Sequence, residues 1–158
     1  MQTSERWDLC KAKMQASKTY SDSMFDLARK GDLSAFKRQN YSGNVLDTRN
    51  TAGYTVLMLA ALNDHKDLVQ YLLSNGASPN AVDFGGNSIL MGVAFKDNAS
   101  IARLLLDYGA DLELKNIRGV NALDVAVTFG RCAMSELLSN YQYNVRSLRH
   151  SDCWKQFV

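Results

Sequence analysis

The segment Gly53-Tyr54-Thr55-Val56-Leu57-Met58 has two counterparts further along the chain. They are Gly86-Asn87-Ser88-Ile89-Leu90-Met91 and Gly119-Val120-Asn121-Ala122-Leu123-Asp124, and each copy begins thirty-three residues after the one before it. A second pair, Gly76-Ala77 and Gly109-Ala110, keeps the same step. A fixed period of this length is typical of stacked repeat proteins, in which units too small to bury their own apolar face share one core.

Each repeat is predicted to form a turn followed by two helices. In the copy at residues 50–82, the Thr55 side chain can cap a first helix over Val56–Leu62 by accepting hydrogen bonds from free backbone amides. Apolar residues at helical spacing predict a second helix over Lys66–Ser74, and Gly76 ends it in a left-handed conformation. The same phase predicts four later helices, over Ile89–Phe95, Ala99–Tyr108, Ala122–Phe129 and Cys132–Asn140.

Weaker periodicity extends the array toward the N-terminus. Ala28 and Gly43 lie thirty-three residues before Ala61 and Gly76, and they predict a capping unit of two helices, over Ser23–Lys30 and Leu33–Gln39. Terminal repeats are often atypical in this way. We therefore expect an extra helix at residues 1–20, a capping unit at 21–49, repeats at 50–82, 83–115 and 116–141, and a capping tail at 142–158.

The two ends carry aromatic residues that suit a capping role. Trp7, Cys10 and Met14 would share one helical face as a lid over the first unit, and Trp154 and Phe157 would fold back on the last one. The tail also mixes aromatic and basic residues between Tyr141 and Lys155, a pattern that can bind single-stranded nucleic acid. We prefer the capping role and expect neither nucleic acid nor a membrane as partner.

Composition favours an ordinary cytoplasmic protein. The 158 residues are 46% hydrophobic and 22% charged, and a net charge of +2 is too small to indicate a polyanionic partner. Three scattered cysteines form no disulfide framework and suit a reducing compartment. The first residues lack an apolar signal-peptide core, although a signal peptide removed before cloning stays open, and the longest aliphatic run, Val56–Leu62, is far short of a membrane span.

The repeated residues resemble the ankyrin repeat, whose pattern is Gly-x-Thr-Pro-Leu-His-x-Ala-Ala and later Leu-Leu-x-x-Gly-Ala-x-x-Asn. The matching residues here are Gly53-x-Thr55-x-Leu57-x-x-Ala60-Ala61, then Leu72-Leu73-x-x-Gly76-Ala77-x-x-Asn80, and again Leu105-Leu106-x-x-Gly109-Ala110. They recur in phase over roughly residues 22–141. The resemblance implies an all-α ankyrin-repeat solenoid of stacked helix pairs, with projecting β-turn fingers and a concave face of first helices. The layout also resembles small stand-alone bacterial ankyrin proteins.

The resemblance further implies where a partner would bind, because ankyrin proteins commonly bind other proteins through finger tips and the exposed side of the first helices. Carried over by position, the candidate partner-binding residues are Tyr54, Leu62, Asn63, Phe84, Asn87, Phe95, Lys96, Ile117, Arg118, Val120 and Phe129. Most are apolar or aromatic, and lysine and arginine lie among them, as at the centres of protein interfaces. The basic side chains favour a partner protein that carries acidic groups beside an apolar patch. The alternative is that the fingers pack on each other and the tail covers some of the aromatic residues.

Chemistry-bearing residues are sparse. We expect His65 to make a structural hydrogen bond, Cys132 to be a small core residue, and His150-x-x-Cys153 to be a single pair without a metal. Gly85-Gly86 lacks the Gly-Lys-Ser/Thr ending of a phosphate loop, and no oriented Ser-His-Asp arrangement can be argued. The sequence therefore predicts a non-catalytic protein-interaction module without cofactors, acting as an inhibitor, immunity protein or adaptor. The alternative function is a carrier or chaperone that delivers haem to an enzyme such as catalase.

Overall fold

The computed structural model describes the backbone of residues 24–41 and 43–151 and the side chains of 24–41 and 45–143. Within these residues the secondary structure is helical, apart from one isolated bridge between Val82 and Ser88. The fold divides between Ala77 and Ser78 into two compact units. The helix expected at residues 1–20 and the tail aromatics Trp154 and Phe157 lie outside the described part of the chain.

The N-terminal unit is built from two helical hairpins. Helix α1 covers the described residues 24–30 and α2 spans Leu33–Gln39, with a 3₁₀ turn at Gly43–Asp47 after them. Helices α3 (Val56–Leu62) and α4 (Lys66–Ser74) form the second hairpin. The observed bounds of α2, α3 and α4 confirm the predicted ones.

An aromatic cluster fills the core of the N-terminal unit beneath α2. The Phe36 side chain is fully buried, and its ring centroid lies 4.9 Å from that of Tyr41 and 6.3 Å from that of Tyr71. Lys37 places its Nζ atom 5.4 Å from the centroid of the Tyr71 ring, a cation–π distance. These contacts explain why α2 is ordered although its sequence, LSAFKRQ, carries few apolar residues.

His65 joins the two hairpins of the N-terminal unit. Its Nε2 atom lies 2.8 Å from the backbone carbonyl oxygen of Arg29 at the end of α1, which confirms the predicted structural hydrogen bond. The imidazole lies directly against Gly31, whose φ is +70°. Gly31 precedes Asp64, Asp97 and Gly130 by multiples of thirty-three residues, and all four have positive φ, so this turn conformation recurs with the repeat.

The C-terminal unit contains two further helical hairpins. Helices α5 (Ile89–Lys96) and α6 (Ala99–Asp107) form the first, and α7 (Ala122–Thr128) and α8 (Cys132–Ser151) form the second. The first helices, α5 and α7, pack side by side, and α8 packs on both α7 and α6. The described core between them is mainly aliphatic, with buried Ile89, Leu90, Ile101, Leu105 and Leu138 beside Met91 and Met134.

Polar side chains cap α3, α5 and α7, and the cap predicted at Thr55 is confirmed. The side-chain oxygen of Thr55 accepts from the Met58 amide at 3.3 Å, and that of Ser88 accepts from the Met91 amide at the same distance. At α7 the cap is reciprocal, because Asn121 Oδ1 accepts from the Asp124 amide at 2.9 Å and Asp124 Oδ2 accepts from the Asn121 amide at 3.0 Å. Polar residues at these positions therefore satisfy backbone groups that the helix cannot.

Replacing Asn121 by alanine should lower the free energy of unfolding by about 1 kcal/mol, because the Asp124 amide loses its side-chain acceptor, while the backbone amide of residue 121 still donates to Asp124. Chemical denaturation followed by circular dichroism would measure the loss. Thr128→Ala, at the exposed opposite end of the same helix, is the matched control and should change stability little. Equal effects of the two substitutions would contradict the capping role of Asn121.

The predicted ends of the second helices are right at α4 and wrong at α8. Gly76 has a φ of +90°, and the Ala77 amide donates to the Leu72 carbonyl at 3.0 Å, so α4 stops as expected. Helix α8 was expected to end at Asn140 but continues to Ser151. The physical reason is Gln142, which takes the place that Gly76 holds in the earlier repeat and remains helical.

Candidate functional site

The repeats at 50–82, 83–115 and 116–141 each begin with a tight turn, in which the side-chain oxygen of the first residue accepts hydrogen bonds from two backbone amides of the turn. In the N-terminal unit, Asn50 Oδ1 accepts from the amides of Ala52 and Tyr54 at 3.0 and 2.9 Å. In the C-terminal unit, Asp83 and Asn116 make the equivalent bonds, to the amides two and four residues further on. We call these turns the fingers. Because the closing residue is an acceptor at residues 50, 83 and 116, the three fingers share one backbone shape.

The two fingers of the C-terminal unit are fastened to each other. The Asn116 side-chain amide donates to Asn87 Oδ1 at 2.8 Å, and the Ile117 backbone amide donates to the Gly85 carbonyl at 3.2 Å. The Asn87 side chain also donates to the Asp83 carboxylate, at 3.0 Å to Oδ2. Backbone and side-chain bonds therefore fix the spacing of these fingers, and the side chains of Phe84 and Ile117 at their tips take no part in these bonds.

Two of the predicted residues form an exposed apolar pair at the finger tips. Phe84 is 71% exposed and Ile117 is 81% exposed, and we call them the finger-tip pair. Arg118 beside them is exposed, whereas Val120 is half-buried. Asn87 is half-buried and its amide is used within the fingers, so the structure gives it a positioning role.

Two other predicted residues form an aromatic pair at the far ends of the first helices. The rings of Phe95 and Phe129 meet edge to face, with centroids 4.7 Å apart, and we call them the helix-end pair. They remain 45% and 53% exposed. Arg131 Nε donates to the Phe95 carbonyl at 3.1 Å, which holds the end of α5 in place, and Lys96 next to it is exposed. From Ile89 to Phe95, α5 rises about 9 Å, so the two apolar pairs lie at opposite ends of the first helices.

The three candidate residues of the N-terminal unit are less accessible. Tyr54 and Leu62 are half-buried, and only Asn63 is exposed. The Asn63 side-chain amide donates to the Leu59 carbonyl at 2.8 Å, so Asn63 caps the C-terminal end of α3. The apolar exposure that the sequence predicted is therefore concentrated in the C-terminal unit.

Several residues that shape the site were not predicted from the sequence. Asp83 and Asn116 fix the fingers, and Arg131 fixes the helix-end pair. The acceptors at residues 50, 83 and 116 keep the thirty-three-residue step, so the repeat itself could have revealed them. Arg131 shares its repeat position with His65, and each side chain contacts a backbone carbonyl thirty-six residues earlier, so the repeat carried a signal for Arg131 as well.

Residues with catalytic or metal-binding chemistry are dispersed in the part of the chain that the structure describes. No group of three or more histidine, cysteine, aspartate or glutamate side chains there could hold a metal ion. Cys132 was expected in the core, but it is exposed, because it lies in the first turn of α8 on the side away from Met134. His150 and Cys153 lie outside the described side chains.

A cleft of about 420 Å³ lies between α6 and α8 of the C-terminal unit. Its polar lining comes from Arg103, Asp107 and Asn140, and the Tyr141 hydroxyl on its wall donates to the Leu106 carbonyl at 2.9 Å. This lining contains neither a histidine nor a cysteine that could serve as base or nucleophile.

None of the helices in the described residues is long and apolar enough to cross a lipid bilayer.

Stacked helical hairpins joined by side-chain-closed fingers define a helical repeat protein. The family model for Ankyrin repeats (3 copies) matches residues 24–116 and 57–147, which together cover most of the chain. The chain therefore belongs to the ankyrin repeat family, as the sequence predicted. Ankyrin repeats mediate protein–protein interactions, and the fold class is the expected all-α repeat.

Similar proteins come from animals and bacteria. The chain is 31% identical over 119 residues to the inactive serine/threonine-protein kinase TEX14 of Mus musculus, a match that covers 75% of the chain and 8% of the kinase. It is 34% identical over 110 residues to the B-cell lymphoma 3 protein homolog of Mus musculus, over 67% of the chain and 24% of that protein. It is also 39% identical over 87 residues to protein PhlB of Serratia liquefaciens, over 54% of the chain and 38% of PhlB. The chain thus spans well under half the length of these relatives.

Proposed function

We propose that the protein binds another protein non-covalently through the exposed apolar residues of its C-terminal unit. The observation that carries the proposal is the exposure of the finger-tip pair and the helix-end pair. Four large apolar side chains, Phe84, Phe95, Ile117 and Phe129, are each between 45% and 81% exposed. Exposed apolar clusters of this kind mark interaction sites, and aromatic residues carry much of the energy at interfaces.

The rigidity of the framework supports the same proposal. The finger backbones are closed by Asp83 and Asn116 and joined through Asn87, so their tips need little ordering when a partner binds. A preorganised surface loses less conformational entropy on association, and more of the contact energy then appears as affinity.

Charges beside the two pairs favour an acidic partner. Exposed Lys96 lies next to Phe95, and exposed Lys115 and Arg118 flank Ile117. Asp97 and Asp83 each add one negative charge, and the Asp83 carboxylate also accepts from three N–H donors of the finger, so the basic side chains remain in excess. We infer a partner that places acidic groups around an apolar patch, since complementary charge steers association and selects partners.

On this proposal, binding sterically occludes a surface of the partner. On this proposal the chain is an inhibitor, an immunity protein or an adaptor in the cytoplasm, and it is not an enzyme. Delivery of haem is the second candidate function, and it rests only on the resemblance to small stand-alone bacterial ankyrin proteins. It predicts a visible absorption band when haem is added, whereas the interaction module predicts a stable complex with a protein and no turnover.

The double substitution Phe84→Ala with Phe95→Ala should weaken binding of the isolated partner by about a hundredfold, because it removes one anchor from each apolar pair. The partner would first be isolated with the full chain and then titrated by calorimetry. The melting temperature should fall by only a few degrees, since both side chains are exposed.

Tyr108→Ala is the matched control, because Tyr108 is 42% exposed and belongs to neither pair. It should leave the affinity unchanged. Unaltered affinity of the Phe84 and Phe95 double variant, with its fold intact, would discard the proposed surface.

A further inference from the structure

The side of α7 that faces away from α5 offers a second surface in the C-terminal unit. Each residue of the repeat at 116–141 has a counterpart thirty-three positions earlier, so the two repeats can be compared position by position. Ala94 of α5 is fully buried, whereas its counterpart Val127 of α7 is 66% exposed. Leu90 is buried, whereas Leu123 is only half-buried. In the earlier repeat α7 packs on α5, and among the described residues of the C-terminal unit no further helix packs on α7 in the same way.

The same surface is only partly adapted to water. Three buried apolar residues of the earlier repeat, Met91, Ala102 and Leu106, are replaced in the later one by Asp124, Ser135 and Ser139. Val127 departs from this trend, because it is larger and more apolar than the alanine it replaces. A β-branched residue at an exposed helical position also lowers helix propensity. Leu123 and Val127 lie one helical turn apart and form an apolar row beside Asp124. This arrangement fits a surface that is covered when a partner is bound and exposed when it is not.

We propose that an amphipathic helix of another protein stacks on α7 at this surface, where it continues the packing of α7 on α5. Its apolar stripe covers Leu123 and Val127, and a lysine or arginine beside that stripe faces Asp124. The Asp124 carboxylate has capacity for this contact, because only Oδ2 is used by the capping bond from Asn121. Val127 precedes Phe129 of the helix-end pair by two residues, which places the two side chains about 200° apart around α7, and the proposal does not depend on the function proposed above.

Site-specific photocrosslinking tests the proposal in the organism that encodes the protein. A benzophenone amino acid would replace Val127 in the full chain, and mass spectrometry would identify the crosslinked peptide. We expect a peptide of another protein with helical apolar spacing and a lysine or arginine next to the stripe. The matched control places the same probe at Glu136, which is exposed like its counterpart Arg103 and so lies outside the stacking surface.

Substitution of Asp124 separates the charge contact from the structural role of this residue. Asp124→Asn keeps an oxygen acceptor for the Asn121 amide but removes the charge, and it should lower the crosslinking yield at position 127 by roughly two- to fivefold. An unchanged yield would remove the proposed cation from the partner helix. Crosslinks to a second copy of the chain, to its own tail or to no protein, or an equal yield at Glu136, would overturn the proposal.

Discussion

Replacing Gly31 by alanine should lower the free energy of unfolding by about 2–4 kcal/mol. Gly31 has a φ of +70°, which costs any residue with a side chain, and a Cβ atom built there overlaps the His65 ring. That ring cannot move freely, because its Nε2 atom is bonded to the Arg29 carbonyl. Urea denaturation followed by circular dichroism would measure the loss.

Gly76→Ala is the matched control for this prediction. Gly76 has a φ of +90°, but a Cβ atom there meets nothing within 4 Å. Its substitution should therefore cost only the conformational term, about 1 kcal/mol. The larger Gly76→Val substitution should destabilise more, since valine resists positive φ more strongly. If Gly31→Ala and Gly76→Ala lower the free energy of unfolding equally, the contact with His65 does not contribute to the cost at Gly31.

Removing the imidazole should reveal how much of the loss comes from overlap. His65→Ala alone costs the hydrogen bond to Arg29, whereas combined with Gly31→Ala it also makes room for the new methyl group. The double variant should therefore be more stable than the sum of the two single losses predicts. Strict additivity would assign the whole cost at Gly31 to its backbone conformation.

Replacing Asp83 by alanine should cost about 2 kcal/mol and loosen the fingers of the C-terminal unit. The carboxylate accepts from the Gly85 and Asn87 amides at 2.8 Å and from the Asn87 side chain, and alanine leaves these donors without their acceptor. Because Asn87 also accepts from Asn116, the disturbance should reach the next finger. Amide hydrogen exchange should accelerate at residues 83–87 and 116–120.

Asp83→Asn is the natural control, because Asn50 and Asn116 already fill the same position in the other fingers. An asparagine keeps the oxygen that accepts both backbone amides, so stability should change by no more than about 0.5 kcal/mol. If the asparagine and alanine variants lose the same stability, the backbone bonds are not what holds the finger.

The helical part of the fold follows from the sequence because the same capping, apolar and helix-ending positions recur in each repeat. The bounds of α3 and α4 were predicted correctly, since Thr55 and Gly76 mark the start and stop of the hairpin through their own backbone chemistry. The end of α8 was predicted wrongly. Gln142 stands where a glycine ends the earlier second helices, so the sequence indicates that α8 continues past this position but not where it ends.

The candidate site was predictable in its residue types and less so in its exposure. Phe84 and Ile117 were recognised by position, and the structure places both at finger tips. Tyr54 was chosen on the same basis but is half-buried. The contact between Phe95 and Phe129 joins residues that are not at equivalent positions of the repeat, so no periodic signal could reveal it. Contacts between unlike positions depend on how far the first helices are offset, which the period does not determine.

The bonds that close the fingers have a further consequence for how this protein could change over evolutionary time. Since Asp83, Asn87 and Asn116 shape the loops from beneath, the amino acids at Phe84 and Ile117 are under almost no folding constraint. New recognition properties could therefore arise by single substitutions at Phe84 or Ile117, because the fold would tolerate each substitution. The same separation makes these two positions natural sites for randomised libraries in which the scaffold is left untouched.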